Sequence, residues 1–145
     1  MPTEVATSIR IRRAALEQVL AHVQATPARE SCGVLLGRLE DASRVVEQVV
    51  PAVNQAEDVW HEYLIPAERL RRLEDDARAQ DLEIVGFYHS HPEGSSEPSP
   101  VDLDAAWPWY TYLIVPRGGD AHDVAAWRLR SDRSGFDAET IECTE

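Results

Sequence analysis

The residues best suited to chemistry lie in one stretch: His89-Ser90-His91-Pro92, then, past a polar loop, Ser99-Pro100-Val101-Asp102. Strand side chains alternate between faces, so His89 and His91 point to the same side, about 6.5–7 Å apart along the backbone. Two imidazoles so placed can close on one cation, with Zn–N bonds of about 2.0–2.1 Å. An ordinary surface pair has the same spacing. The second half also reads two ways. Serine, proline and an acid three residues on make a helix N-terminus, with Ser99 and Asp102 as a capping box. The same geometry puts Asp102 on the first turn, on the Ser99 face. Turned towards the strand end, its carboxylate becomes a third ligand. Two neutral imidazoles and a carboxylate leave a divalent ion with residual positive charge and an open fourth position, the arrangement of catalytic rather than structural zinc. Asp104 is the competing ligand, but it falls on a different helix face, so Asp102 is preferred.

These side chains need elements to hold them. Residues 13–26 carry apolar positions at helical spacing, with Leu16, Val19, Leu20 and Val23 on one stripe and Pro27 as the stop. Cys32 to Gly37 is a short apolar run bounded by glycine and reads as a buried strand. Val45 to Val50 pairs with it across a loop near Glu40 to Ser43. Residues 51–58 read as a loop, and Trp60 to Leu64 as a short strand. Pro66 opens a second helix running to about Gln80, with Leu70, Leu73 and Ala77 inside. Ile84 to His89 is a strand, residues 92–98 a polar loop, and a short helix from about Ser99 stops before Pro108. Tyr110 to Val115, Val124 to Arg130 and Phe136 to Ile141 complete the strands. Helices and strands alternate early and strands dominate late, which predicts an α/β fold: a mixed sheet with helices packed on it.

With 145 residues the chain is a single-domain length, read as one domain over 1–145. Its 43% hydrophobic and 28% charged residues fit a globular protein rather than a disordered one. No apolar run approaches the roughly 18–20 residues of a membrane helix, and the N-terminus has no secretory pattern, so the expected location is cytoplasmic, with no membrane partner. The formal charge of −12 argues against nucleic acid, whose phosphates need clustered cations. All 14 basic residues are arginine; a GC-rich coding bias accounts for that, and it also removes every lysine that a conjugating system could modify. Cys32 and Cys143 are too few for a disulfide framework or a Cys-x-x-Cys zinc site. Cys32, inside an apolar run, reads as a small buried hydrophobe. His22, His61 and His122 read as structural or solvated.

Joined, the two halves spell H-x-H-x7-S-x-x-D, and here the chain resembles the JAMM metalloproteases, the catalytically active MPN domains. The resemblance implies zinc held by His89, His91 and Asp102, with Ser99 polarising the scissile carbonyl and steadying the oxyanion. It also implies a curved mixed sheet flanked by helices, of the cytidine-deaminase-like kind. An upstream glutamate orients the attacking water in that family. Glu30, in Arg29-Glu30-Ser31-Cys32-Gly33-Val34-Leu35-Leu36-Gly37, matches it and inherits the general acid/base role. On its own Glu30 is one of 26 acids, sitting between a helix and a strand. Small size, Pro92, Pro98 and the Asn54 to Tyr63 stretch resemble the bacterial and archaeal branch. The likeness covers roughly residues 9–130. The loop from Glu93 to Glu97 departs from some members by placing two acids beside the mouth.

The implied substrate is the C-terminal tail of a ubiquitin-like protein, which for small stand-alone members often means a sulfur-carrier protein. A narrow groove taking an extended Gly-Gly tail by strand addition suits such a substrate. The residues do not separate a peptide from an isopeptide bond, and they leave oligomeric state open, a homodimer included. Two rival readings stand beside this one, and a third is excluded. A non-catalytic MPN scaffold typically loses the ligand set that is complete here. A RadC-like domain usually carries an extra N-terminal DNA-binding region. A zinc deaminase needs Cys-x-x-Cys ligands, which are absent.

Overall fold

The run Ser8-Ile9-Arg10-Ile11-Arg12 alternates with a period of two and forms strand β1 (Ser8–Arg12), with both isoleucines fully buried. This strand runs straight into helix α1 (Arg13–Ala25), which hides its short period in the sequence. The computed structural model describes residues 8–26, 28–41 and 43–145. The stop expected at Pro27 therefore lies outside the described residues. On α1 the inner stripe is Ala15, Leu16, Val19 and Val23, while Leu20 is only partly buried. Strands β2 (Cys32–Glu40) and β3 (Ser43–Ala52) form an antiparallel pair, each longer than the apolar run that marks it. Helix α2 (Ala67–Ala79) follows Pro66, which serves as its N-cap. Then come β4 (Glu83–His91), α3 (Pro100–Ala105), β5 (Thr111–Pro116), β6 (Ala125–Leu129) and β7 (Phe136–Thr144).

The expected strand from Trp60 to Leu64 does not form. Residues 58–61 make a turn instead, with the amides of His61 and Glu62 donating to the carbonyl of Asp58. The Asp58 carboxylate adds bonds from the Trp60 amide and the His61 ring. Local side-chain capping of this kind competes with extended pairing and prevails here.

The mixed sheet closes into a barrel in the order β1-β3-β2-β4-β5-β6-β7. Parallel pairing joins β1 to β3 and β7, and β4 to β5; the other neighbours are antiparallel. Neighbouring side chains on β2 divide between two apolar clusters. Leu35 joins the stripe of α1 with Ile9, Ile11, Val19 and Leu113, whereas Val34 and Leu36 join Leu73 and Ala77 of α2 with Phe87 and Tyr112. A register shift between β2 and β4 at Leu35/Leu36 lets Val85 join the first cluster while Ile84 and Phe87 serve the second. Each such side chain contributes on the order of 1.5–3 kcal/mol by leaving water. Gly33 has no room for a Cβ, because the ring of Tyr88 occupies that space. Tyr88 reaches past it to His22 Nδ1 at 2.6 Å, giving that histidine a structural partner. Among the described residues no helix is long and apolar enough to cross a membrane.

Candidate metal centre

At the end of β4 polar side chains replace the second apolar cluster. His89 and His91 continue the face begun by Phe87, and both are 1% exposed. Register fixes what lies beside them. Cys32 pairs with His89. One residue earlier, the Ser31 amide donates to Ser90 Oγ at 2.8 Å and the Ser90 amide to the Ser31 carbonyl at 3.0 Å. Alternation then turns Ser31 and Ser90 to one side and Glu30, Cys32, His89 and His91 to the other. Glu30 is 2% exposed, with Oε1 buried and unpartnered, and close enough to Asp102 for the two negative charges to oppose each other.

The third component crosses from α3. Ser99 is its N-cap and the capping box is complete: the Asp102 amide donates to Ser99 Oγ at 3.1 Å, and the Ser99 amide to Asp102 Oδ2 at 2.9 Å. The same carboxylate faces both imidazoles, Oδ1 lying 3.1 Å from His89 Nε2 and Oδ2 3.0 Å from His91 Nε2. The two readings of Ser99 to Asp102 are thus one structure, in which capping fixes the carboxylate that the histidines meet. Asp104 points to solvent, away from this cluster. Ser99 Oγ accepts the Asp102 amide, which leaves its own proton free to donate outwards.

The donor set fits a divalent cation. His89 Nε2 and His91 Nε2 are 3.2 Å apart. Ligand atoms around a tetrahedral ion with bonds of about 2.0–2.1 Å sit roughly 3.3 Å from one another, so these three need hardly move. His91 Nδ1 donates to the Ser95 carbonyl at 3.0 Å, so when the proton that Nε2 shares with Asp102 is lost, the Nε2 lone pair faces the cluster. Among the described residues His89, His91 and Asp102 are the group whose spacing could hold a metal.

Electrostatics follow from burial without a balancing arginine. Desolvation pushes the Glu30 carboxyl up to about 9, assisted by the charges of Asp102, Glu93, Glu62 and Asp58. Burial also opposes ionisation of Asp102, but hydrogen bonds from His89 and His91 outweigh it and hold that carboxyl well below the usual range. His91 is likewise disfavoured as a cation by burial, yet ends up raised because Asp102 and Glu93 outweigh it. Cys32 is fully buried and its thiol is pushed up to about 12, chiefly by desolvation, as a small hydrophobe's would be.

Three contributors went unread in the sequence. Tyr63 stacks on His89, centroids 4.6 Å apart and planes at 24°. Ser90, between the two histidines, ties β4 to the Glu30 segment. Asn54 gathers the loop over the site. The resemblance pointed to the Asn54 to Tyr63 stretch but gave it no task. Beside Ser99 runs an open groove of about 420 Å³, lined by Pro98, Pro100, Leu103, Trp127 and Phe136.

The barrel thus gathers two imidazoles and a carboxylate, spaced so that they could hold a cation, and a buried glutamate with an unpartnered oxygen at the end of its parallel strand pair. Residues 12–130 match the family described as prokaryotic homologs of the JAB domain, and the chain belongs to that family, a branch of the JAMM/MPN proteins. It is 39% identical over 121 residues to the desampylase of Haloferax volcanii, covering 78% of this chain and 85% of that one. It is 32% identical over 109 residues to a probable TtuB-protein conjugate cleaving protease of Thermus thermophilus, covering 75% and 70%. A solution structure from Desulfitobacterium hafniense superposes with a TM-score of 0.81 at 30% identity, over 94% of this chain and 93% of that one. The structure described as a metalloprotease-like zinc site in the proteasome and signalosome shares the fold, with a TM-score of 0.60 at 20% identity over 96% and 100%.

Proposed function

We propose that this chain, as a single JAB domain over 1–145, is a zinc-dependent metallopeptidase that cleaves a peptide or isopeptide bond at the C-terminal tail of a ubiquitin-like or sulfur-carrier protein. One observation carries the reading: three cation ligands, spaced for a single ion, lie beside a buried carboxyl with a free oxygen. Two relatives that cover most of the chain are named for cleaving protein conjugates.

His89, His91 and Asp102 would hold the ion. Bound there, zinc supplies Lewis acidity and brings the pKa of a water from about 15.7 towards 7. Glu30 takes the proton of the attacking water on its free oxygen and returns it to the leaving amine. Alone, a carboxyl raised to about 9 stays protonated at neutral pH; positive charge among its neighbours lowers it into the range of a working base. Ser99, which accepts the Asp102 amide, donates a hydrogen bond to the carbonyl oxygen as charge develops there. Tyr63 and the Ser95 carbonyl keep the two imidazoles in orientation. The groove past Ser99 offers an extended tail a wall of proline and aromatic surface.

The test uses ubiquitin-like fusions carrying short C-terminal extensions, incubated with and without chelator, with zinc counted per chain. Cleavage that chelator stops, one zinc per chain, and a loss on the order of 10²–10⁴ in kcat for Glu30→Gln with zinc retained are expected. A chain that purifies without stoichiometric metal and cleaves nothing is a scaffold. Unaltered turnover in Glu30→Gln removes the general base.

A further inference from the structure

Asn54 is held in a way that loop packing alone does not need. Its Nδ2 donates to the Glu30 carbonyl at 3.0 Å and to the Glu62 carbonyl at 2.9 Å. Its Oδ1 accepts the amides of Ala56 at 2.9 Å and Leu64 at 3.1 Å. The amide thus uses two donors and two acceptor sites at once, and the opposite flip would set donors against donors. The loop it organises returns to Glu30 a second time, since the Glu30 amide donates to the Val59 carbonyl at 2.6 Å. Both polar groups of the Glu30 backbone are therefore fixed by residues 54–59, and the next residue is fixed by Ser90. Glu62 and Leu64, both tied to Asn54, flank Tyr63, the ring stacked on His89. One side chain of the loop joins the segment that carries Glu30 to the plate over a metal-ligand imidazole.

We propose that Asn54 is a positioning residue, setting where the Glu30 carboxyl stands relative to the His89–His91–Asp102 cluster. The proposal rests on the general-base reading of Glu30. A fixed carboxyl matters because displacing a catalytic group by about 1 Å costs on the order of 10²-fold in rate. Glu30 Oε1 has no side-chain partner to hold it, so its backbone is where its placement is decided.

The test is a double-mutant cycle on the C-terminally extended ubiquitin-like fusion. Asn54→Ala lowers kcat by on the order of 10–10²-fold, with bound zinc unchanged and KM shifted less than about threefold. In Glu30→Gln the same change costs less than about threefold, because the group being positioned is already disabled. Equal losses in both backgrounds would mean that Asn54 only stabilises the loop, and the proposal falls while the role of Glu30 stands. Unchanged turnover in Glu30→Gln alone sinks the base reading instead. Asn54→Asp keeps the acceptors for Ala56 and Leu64 but removes the donors, and it serves in the cycle if the alanine variant fails to fold. It should protect those two amides from hydrogen exchange while turning over as slowly as Asn54→Ala; recovery of wild-type kcat overturns the proposal. A third reading needs no substrate or metal. In metal-free Asn54→Ala the Glu30 amide must exchange faster than in the wild type, and unchanged protection there overturns the proposal too.

Discussion

Two regions of the barrel bury carboxylates, and they dispose of the charge in opposite ways. On β7, Glu139 accepts the Thr111 hydroxyl at 2.7 Å on one oxygen and the Arg128 guanidinium at 2.9 Å on the other. The chain supplies cation and anion together, and the strands they stand on are neighbours. At the end of β4, Asp102 meets only imidazoles and backbone amide, and Glu30 keeps a free oxygen. Among the described residues neither acid forms an ion pair with an arginine. Burying a carboxylate costs several kcal/mol unless a positive group balances it. The first region balances it within the chain and serves the fold. The second has imidazoles but no arginine, the arrangement that the proposed cation would complete.

The contrast breaks most sharply at Asp102. Asp102→Asn keeps an oxygen able to accept the Ser99 amide, so α3 stays capped, but it removes the charge that holds the cation. Zinc affinity should fall by on the order of 10²-fold or more, read as metal per chain after dialysis. Ser99→Ala comes next. Losing one oxyanion donor costs on the order of 10²–10³ in kcat, while losing the cap costs about 1 kcal/mol of stability. A variant that loses only the stability assigns Ser99 to the fold alone. Across the barrel, Arg128→Met takes the arginine away from the buried Glu139 and should destabilise by about 3 kcal/mol, the low end for a buried pair because the arginine side chain keeps 23% exposure. Adding Glu139→Leu should recover most of that in a denaturation curve. Zinc content of the folded fraction should not move in either variant.

The sequence disclosed the two regions unequally. His89, His91 and Asp102 were legible because short-range rules place them: strand alternation for the histidines and a capping box for the aspartate. Their convergence was not derivable, since it depends on α3 turning back over β4, and the family resemblance bridged that gap. Glu30 was legible only through the resemblance; its position follows from the register of β2 against β4, a long-range fact. The Arg128–Glu139 pair gave no sign, because one arginine among 14 and one acid among 26 carry no local mark of burial. The helices and most strands followed their periodicity, and β1 was overlooked where two alternating isoleucines merged into α1. The false strand at Trp60 to Leu64 failed at Asp58, whose side chain closes a turn that apolar content does not reveal.

A pH-dependent effect tests the contrast from the side of stability. Glu30, ordinarily titrating at 4.5, is raised by burial to about 9 in the folded protein. Between those values the unfolded chain has released a proton that the folded chain retains, so unfolding releases protons and stability falls as pH rises through the window. Glutamine does not ionise in either state and removes that slope. In metal-free protein, Glu30→Gln should melt with the wild type near about pH 4 and then exceed it progressively towards about pH 9. A gain of about 1 kcal/mol corresponds to ~2–4 °C at this chain length. The variant expected to lose the proposed turnover should therefore make the metal-free protein harder to melt, the opposite of what Arg128→Met does across the barrel. A melting difference that does not vary with pH would show that the Glu30 carboxyl is already neutralised by a group of the chain itself, and the two regions would then differ only in which residues do the balancing.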